Sequence, residues 1–144
     1  VKPASLQCPG RFLEVHRSIR TPCEPVWDLL VDTDRWSDWG PTVTGVDVPA
    51  QRICRHASGR VKTAVGLWLP FVVDIFEEGS RWSWKVAGIR ATGHRIEKTP
   101  DRRCRLTFEV PLWAAPYAIV CWLAARRIER ICRREFDPKK KRRQ

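Results

Sequence analysis

The sequence predicts an α+β domain in which six or seven antiparallel strands curl around one long C-terminal helix, with two short helices after the first strand. Three observations predict it. An apolar/polar alternation near the start runs directly into a segment with helix-start signals. A series of alternating segments follows, separated by turn residues and not by helices, so no β-α-β alternation appears and the pattern argues against a parallel sheet. The chain then closes on a single long stretch with helical periodicity. So many strands cannot cover one helix while lying flat. The sheet must curl, and imperfect filling between sheet and helix leaves a cavity.

Each element can be justified in turn. The 144 residues suit one domain over 11–135, preceded by a lead-in over 1–10 with breakers at Pro3 and Pro9-Gly10 and followed by a basic tail over 136–144. Residues 11–20 read as a strand: Leu13, Val15 and Ile19 share one face, and Glu14, His16 and Ser18 the other. Arg17 is the exception on the apolar side. Thr21-Pro22-Cys23-Glu24 then predicts a helix start, with Thr21 as N-cap, Pro22 at the first position and Glu24 closing a capping box. That helix carries Val26, Trp27, Leu29 and Leu30 and stops near Asp32. Asp32-Thr33-Asp34 caps a second, short helix with Trp36 and Trp39, ended by Gly40-Pro41.

Short strands are expected over 43–48 and 59–64, with a polar loop over 51–58 between them. Residues 69–76 and 81–86 form the clearest hairpin. With Phe76 opposite Arg81, Ile75 faces Trp82, Val73 faces Trp84 and Phe71 faces Val86, which makes one face wholly apolar. Asp74, Ser83 and Lys85 take the other face. A second hairpin joins 90–98 to 103–110 around Thr99-Pro100-Asp101-Arg102, with Cys104, Leu106, Phe108 and Val110 inward. Its first strand has two registers open, one with Thr92, His94 and Ile96 inside and one with Ala91 and Gly93 inside.

The last helix is expected over 114–134, with Pro116 tolerated in its first turn. Ala114, Tyr117, Cys121, Ala125, Ile128 and Cys132 fall within about 60° of arc and form the core stripe. Opposite them stand Arg126, Arg130, Arg133 and Arg134, but the first half carries Ile119 and Leu123 there, flanked by Val120 and Trp122. The apolar run 111–125 is too short to span a membrane, which takes roughly 17–25 residues. Burial under loops, a homodimer contact through Ile119 and Leu123, and a membrane-surface contact are the alternatives for that face.

Composition narrows the class. Eight Trp against one Tyr suit a large core or a pocket for flat ligands. The net charge of +11 is concentrated: residues 126–144 hold ten Lys/Arg against three acids, a surplus of seven, which leaves +4 for the remainder. The run Lys139, Lys140, Lys141, Arg142 and Arg143 is either a solvated end or an attractor for anionic membrane or nucleic acid. Six cysteines without C-x-x-C or zinc spacing read as reduced thiols, several of them small buried hydrophobes, in a cytoplasmic protein with peripheral membrane association as a variant.

In this order the chain resembles the START-like superfamily, also called Bet v 1-like or SRPBCC, and its polyketide cyclase/dehydrase and lipid-transport branch. The resemblance rests on the first strand leading into Thr21-Pro22-Cys23-Glu24-Pro25-Val26-Trp27-Asp28-Leu29-Leu30, on Asp32-Thr33-Asp34-Arg35-Trp36 with Trp39, on Asp74-Ile75-Phe76-Glu77-Glu78, and on Arg81-Trp82-Ser83-Trp84. It covers residues 11–134. It implies a helix-grip fold and, as functions, carriage of a hydrophobic ligand or aromatase/cyclase chemistry; none of the matching residues is a catalytic signature.

G-x-S-x-G, P-loop and H-E-x-x-H motifs are absent. Cys54 and His56 stand two apart but make no metal site, and no cofactor is implied. The expected function is binding or carriage of a small hydrophobic ligand, aromatic, polyketide-like or isoprenoid, in an internal cavity lined by Phe71, Trp82, Trp84, His94, Leu106, Phe108, Tyr117 and Cys121. An aromatase/cyclase would need a general acid or base at the wall, for which His94, Tyr117 and Arg17 are the candidates. A peripheral protein that docks on anionic membrane or nucleic acid through its tail and the Ile119/Leu123 face is the third class.

Overall fold

In the computed structural model, which describes residues 12–136, seven antiparallel strands form one curved sheet in the order β1-β7-β6-β5-β4-β3-β2. The strands are β1 (Phe12–Ile19), β2 (Val43–Asp47), β3 (Ser58–Thr63), β4 (Trp68–Glu77), β5 (Arg81–Val86), β6 (Ile89–Lys98) and β7 (Cys104–Pro111). Helix α1 (Cys23–Val31), a 3-10 turn (Thr33–Arg35) and the one-turn α2 (Trp36–Trp39) lie between β1 and β2. A second 3-10 segment (Leu112–Tyr117) leads into α3 (Ala118–Phe136), which packs along β1 and β7. This is the expected helix-grip arrangement. The lead-in and the residues Lys139, Lys140, Lys141, Arg142 and Arg143 lie outside the described residues.

Several local expectations are corrected. Thr21 does not cap α1: its N–H bonds back to the Ile19 carbonyl (2.8 Å), which turns the side chain inward and leaves its hydroxyl without a partner. Glu24 accordingly closes no capping box and points out towards Lys98 (3.8 Å). The hairpin β4–β5 keeps the expected pairs Phe71–Val86 and Val73–Trp84, but a bulge at Asp74 shifts the rest, so Ile75 faces Ser83 and Phe76 faces Trp82. The Asp74 carboxylate causes this by taking both the Ile75 N–H and the Ser83 hydroxyl (2.9 Å each). The loop 51–58 is not wholly polar in role, because Ile53 is buried and its N–H bonds the Val31 carbonyl (3.1 Å).

The open register of β6 resolves with Thr92, His94 and Ile96 inward; His94 pairs with Trp82 on one side and Phe108 on the other. The last α-helix begins at Ala118 and not at 114, because Pro116 lacks an N–H and the preceding turn tightens to 3-10 with Ala114 off helical geometry (φ -110°, ψ 28°). Cys121, Ala125, Ile128 and Cys132 form the buried stripe, joined by Ala124, whereas Tyr117 is partly exposed. Ile119 and Leu123 are exposed, so no loop among the described residues buries them. Arg17 reaches across to Glu129 on α3 (2.8 Å), a part-buried pair that fastens helix to sheet.

Candidate functional site

The concave side is nearly filled. A cavity of about 40 Å³ lies between α2, the central strands and the start of α3. This is room for about two or three waters, against roughly 300–1,000 Å³ for a pocket that holds a drug-sized ligand. Of the expected lining, Trp82, Trp84, His94, Phe108, Tyr117 and Cys121 face it. Phe71 and Leu106 do not: Phe71 is spent against Trp36 (centroids 5.6 Å apart), and Leu106 is fully buried opposite Ile96. Arg17, engaged with Glu129, is not in the wall either.

Sequence reasoning took the lining from strand faces and the last helix, and so missed Trp36 and Trp39. Their indoles are held by α1. Trp36 Nε1 donates to the Leu30 carbonyl (2.9 Å) and Trp39 Nε1 to the Leu29 carbonyl (2.8 Å), two of the acceptors left unsatisfied at the end of a helix. Both rings line the cavity, and Trp36 stacks on Trp82 (5.5 Å, 8° between planes). Their three-residue spacing before Gly40-Pro41 was the available signal. Gly40 is required where the chain leaves α2, since a Cβ there would stand 2.9 Å from the Trp36 carbonyl oxygen.

The polar groups of the wall form a determinate network. The Trp82 carbonyl can only accept, so His94 Nδ1 carries the proton that meets it (3.3 Å) and Nε2 is the acceptor. Thr92 donates its hydroxyl to Nε2 (3.2 Å) and accepts the Trp84 indole N–H (3.1 Å). His94 is 2% exposed, stacked on Trp82 at 4.0 Å, and burial pushes its pKa down to about 3. It is a neutral imidazole with both nitrogens engaged. Burial likewise pushes the Cys121 thiol up to about 12, which makes it a small apolar wall group.

Two features stand apart from this satisfied network. The Trp82 indole N–H is buried with no partner. The segment 40–43 and Tyr117 line the partly open mouth of the cavity, where the Tyr117 hydroxyl shares a 2.6 Å hydrogen bond with that of Thr42. Partial burial raises the phenol above its usual pKa, so it stays protonated. Among the described residues no cluster of His, Cys, Asp or Glu is arranged to hold a metal ion.

No protein-family model and no curated protein matches the chain. Solved structures do match. A protein from Mesorhizobium loti superposes with a TM-score of 0.68 at 16% identity, over 87% of this chain and 98% of that one. One from Nitrosomonas europaea superposes at 0.64 and 13% identity, over 87% and 96%. DynU16, described as a putative protein in the dynemicin biosynthetic locus, gives 0.57 at 22% identity over 85% of this chain and 47% of its own. At these identities the likeness shows the α+β fold of a curved antiparallel sheet gripping a C-terminal helix, and nothing about activity.

Proposed function

We propose that this chain is a START-like domain that binds a small, flat, oxygen-bearing aromatic molecule between α2 and the central strands. The observation that carries the reading is the unpartnered N–H of Trp82, whose ring lines the cavity together with those of Trp36, Trp39, Trp84, His94 and Phe108. A buried donor left unpaired costs about 1–3 kcal/mol, and a carbonyl, quinone or phenol oxygen on the ligand would recover it. The element order and the neighbours' shared fold support the superfamily; the aromatic wall supports the aromatic branch of its ligands over the isoprenoid one. The ligand must part Tyr117 from Thr42 and displace the 40–43 segment, because the cavity of about 40 Å³ is too small for it.

No observation favours turnover. His94 offers no free lone pair or acidic proton, and Tyr117 sits at the mouth with its hydroxyl engaged. The test is tryptophan-fluorescence titration with a naphthoquinone and with naphthalene. Saturable binding that prefers the quinone is expected, and Trp82→Phe should remove the preference while keeping the ring. Ala124→Leu, which fills the cavity, should abolish both. Absence of saturable binding, or an unchanged preference in Trp82→Phe, sinks the reading.

A further inference from the structure

The strand pairings bring a particular set of loops to one end of the molecule. β1 begins opposite the end of β7 (Phe12–Pro111), and β6 starts beside that same end (Gly93–Glu109). The β5–β6 turn lies there (Val86–Ile89), as do the start of β4 (Phe71–Val86) and the β3–β4 turn (Lys62–Trp68). The start of β2 joins them through Val43–Thr63, and with it the 40–43 segment and Tyr117 that line the mouth of the cavity. This is the mouth end.

It is also where the exposed apolar surface lies. Of the large hydrophobic side chains open to solvent among the described residues, all but Val72 and Phe136 stand at this end. The β3–β4 turn presents Val65, Leu67 and Trp68, with Val65 88% exposed. The 3-10 segment and the first turns of α3 present Trp113, Ile119 and Trp122, the first two 69% and 68% exposed. A chain does not keep Trp and Ile that open for the sake of its own core.

Charge selects the partner. Of the segments at this end, 40–46, 63–69, 87–92 and 111–127 contain no Asp or Glu, and the nearest acids on β1 and β7, Glu14 and Glu109, are both paired with Arg95. Behind the apolar tips stand cations: Arg126 lies over the Trp122 ring (5.2 Å) and Lys62 over Trp68 (6.0 Å). Arg126, Arg127, Arg130 and Lys62 form no ion pair among the described residues. Apolar tips backed by these unpaired cations match the layering of an anionic membrane surface, acyl chains below and phosphates above. A second copy of this chain would set the cations of both copies against each other.

We propose that the mouth end docks on an anionic lipid surface, with Trp113, Ile119 and the β3–β4 turn entering the interface and Arg126, Arg127 and Lys62 meeting the headgroup phosphates. Docking in this sense needs no ligand in the cavity. It would, however, point the ligand's entrance at the bilayer.

The experiment is flotation of the full chain with vesicles of phosphatidylcholine, with and without phosphatidylserine, no aromatic ligand being added. Binding is expected only with phosphatidylserine and should weaken with salt. Trp113→Ser with Ile119→Ser leaves the charge unchanged and should lower the partition coefficient by about tenfold or more, since binding scales with buried apolar area. Arg126→Gln and Arg127→Gln should each cost about fivefold, from ~1 kcal/mol per cation near an anionic surface. Phe136→Ser, away from this end, should change nothing. A matched circular dichroism spectrum and melting profile guard against misfolding. The proposal is overturned if the chain fails to float with anionic vesicles, or if truncation after residue 136 abolishes binding that the Trp113/Ile119 variant retains. It is also overturned if the wild type is a dimer that the same variant dissociates.

Discussion

The two ends of the domain are closed by opposite means. At the end away from the mouth, Arg52 bridges Glu78 and Asp28, Arg81 pairs with Glu77, Lys98 with Glu24 and Arg103 with Asp101. Beneath them Trp27 seals the core, packed on Phe76 (5.8 Å) and donating its N–H to Glu78 (3.1 Å). Among the described residues at the mouth end, Arg90 pairs with Asp74 but Arg126, Arg127 and Lys62 have no acidic partner, Trp68, Trp113 and Trp122 are exposed, and one Tyr–Thr hydrogen bond spans the gap. The contrast teaches that residue type alone does not locate the core. Trp27 and Trp113 are chemically identical, and their surroundings make one a plug and the other a projection.

The largest expected effect breaks or sustains that contrast directly. Trp27→Ala should lower the urea-unfolding free energy by about 3–5 kcal/mol, because a buried ring is lost and a cavity remains. Trp113→Ala should change it by less than about 0.5 kcal/mol, as exposed substitutions do. If Trp113 costs as much as Trp27, the mouth end is a sealed extension of the core.

Beneath the mouth, His94 links the comparison to pH. Its imidazole is neutral when folded, with a pKa of about 3, while the unfolded chain takes up a proton near 6.5. Between those values the unfolded state binds more protons, so stability rises with pH across the window and is lost as pH falls through it. Moving from pH 7 to pH 5 should cost about 2 kcal/mol. His94→Gln should be less stable at pH 7 yet flat over the same range. A native chain that keeps its full stability at pH 5 would mean that water reaches His94 from the mouth.

Much of this architecture was legible, for reasons that can be located. The inward faces of β5 and β7 were readable because alternation fixes a face once one residue is placed: Trp82 and Trp84, Leu106 and Phe108. The bulge at Asp74 was not, since it depends on a carboxylate that captures the Ser83 hydroxyl across the hairpin, and no periodicity records that. The failed capping box has the same cause in reverse: Thr21 carries the right chemistry but the turn at the end of β1 points it inward. The cavity wall was half legible. Strand faces could be read, whereas Trp36 and Trp39 reach the site only because carbonyls at the end of α1 hold their indoles in place. The cavity's small volume was out of reach, since it depends on how six aromatic rings interlock and not on which residues face inward.

The smallest expected effects compare the two closures themselves. Tyr117→Phe removes the hydroxyl that meets Thr42 and should cost about 1 kcal/mol or less of stability, the usual worth of a net hydrogen bond at a partly exposed site. Glu78→Gln weakens the exposed pair with Arg52, which should cost about 0.5 kcal/mol and vanish at high salt. Stability alone barely separates the two, so the decisive readout is kinetic. If the Thr42–Tyr117 contact is the latch over the cavity, Tyr117→Phe should speed quinone association, and Glu78→Gln should leave the rate alone. Equal association rates in Tyr117→Phe and wild type would mean that the 40–43 segment opens without waiting for that bond, and the mouth would then be held by apolar packing alone.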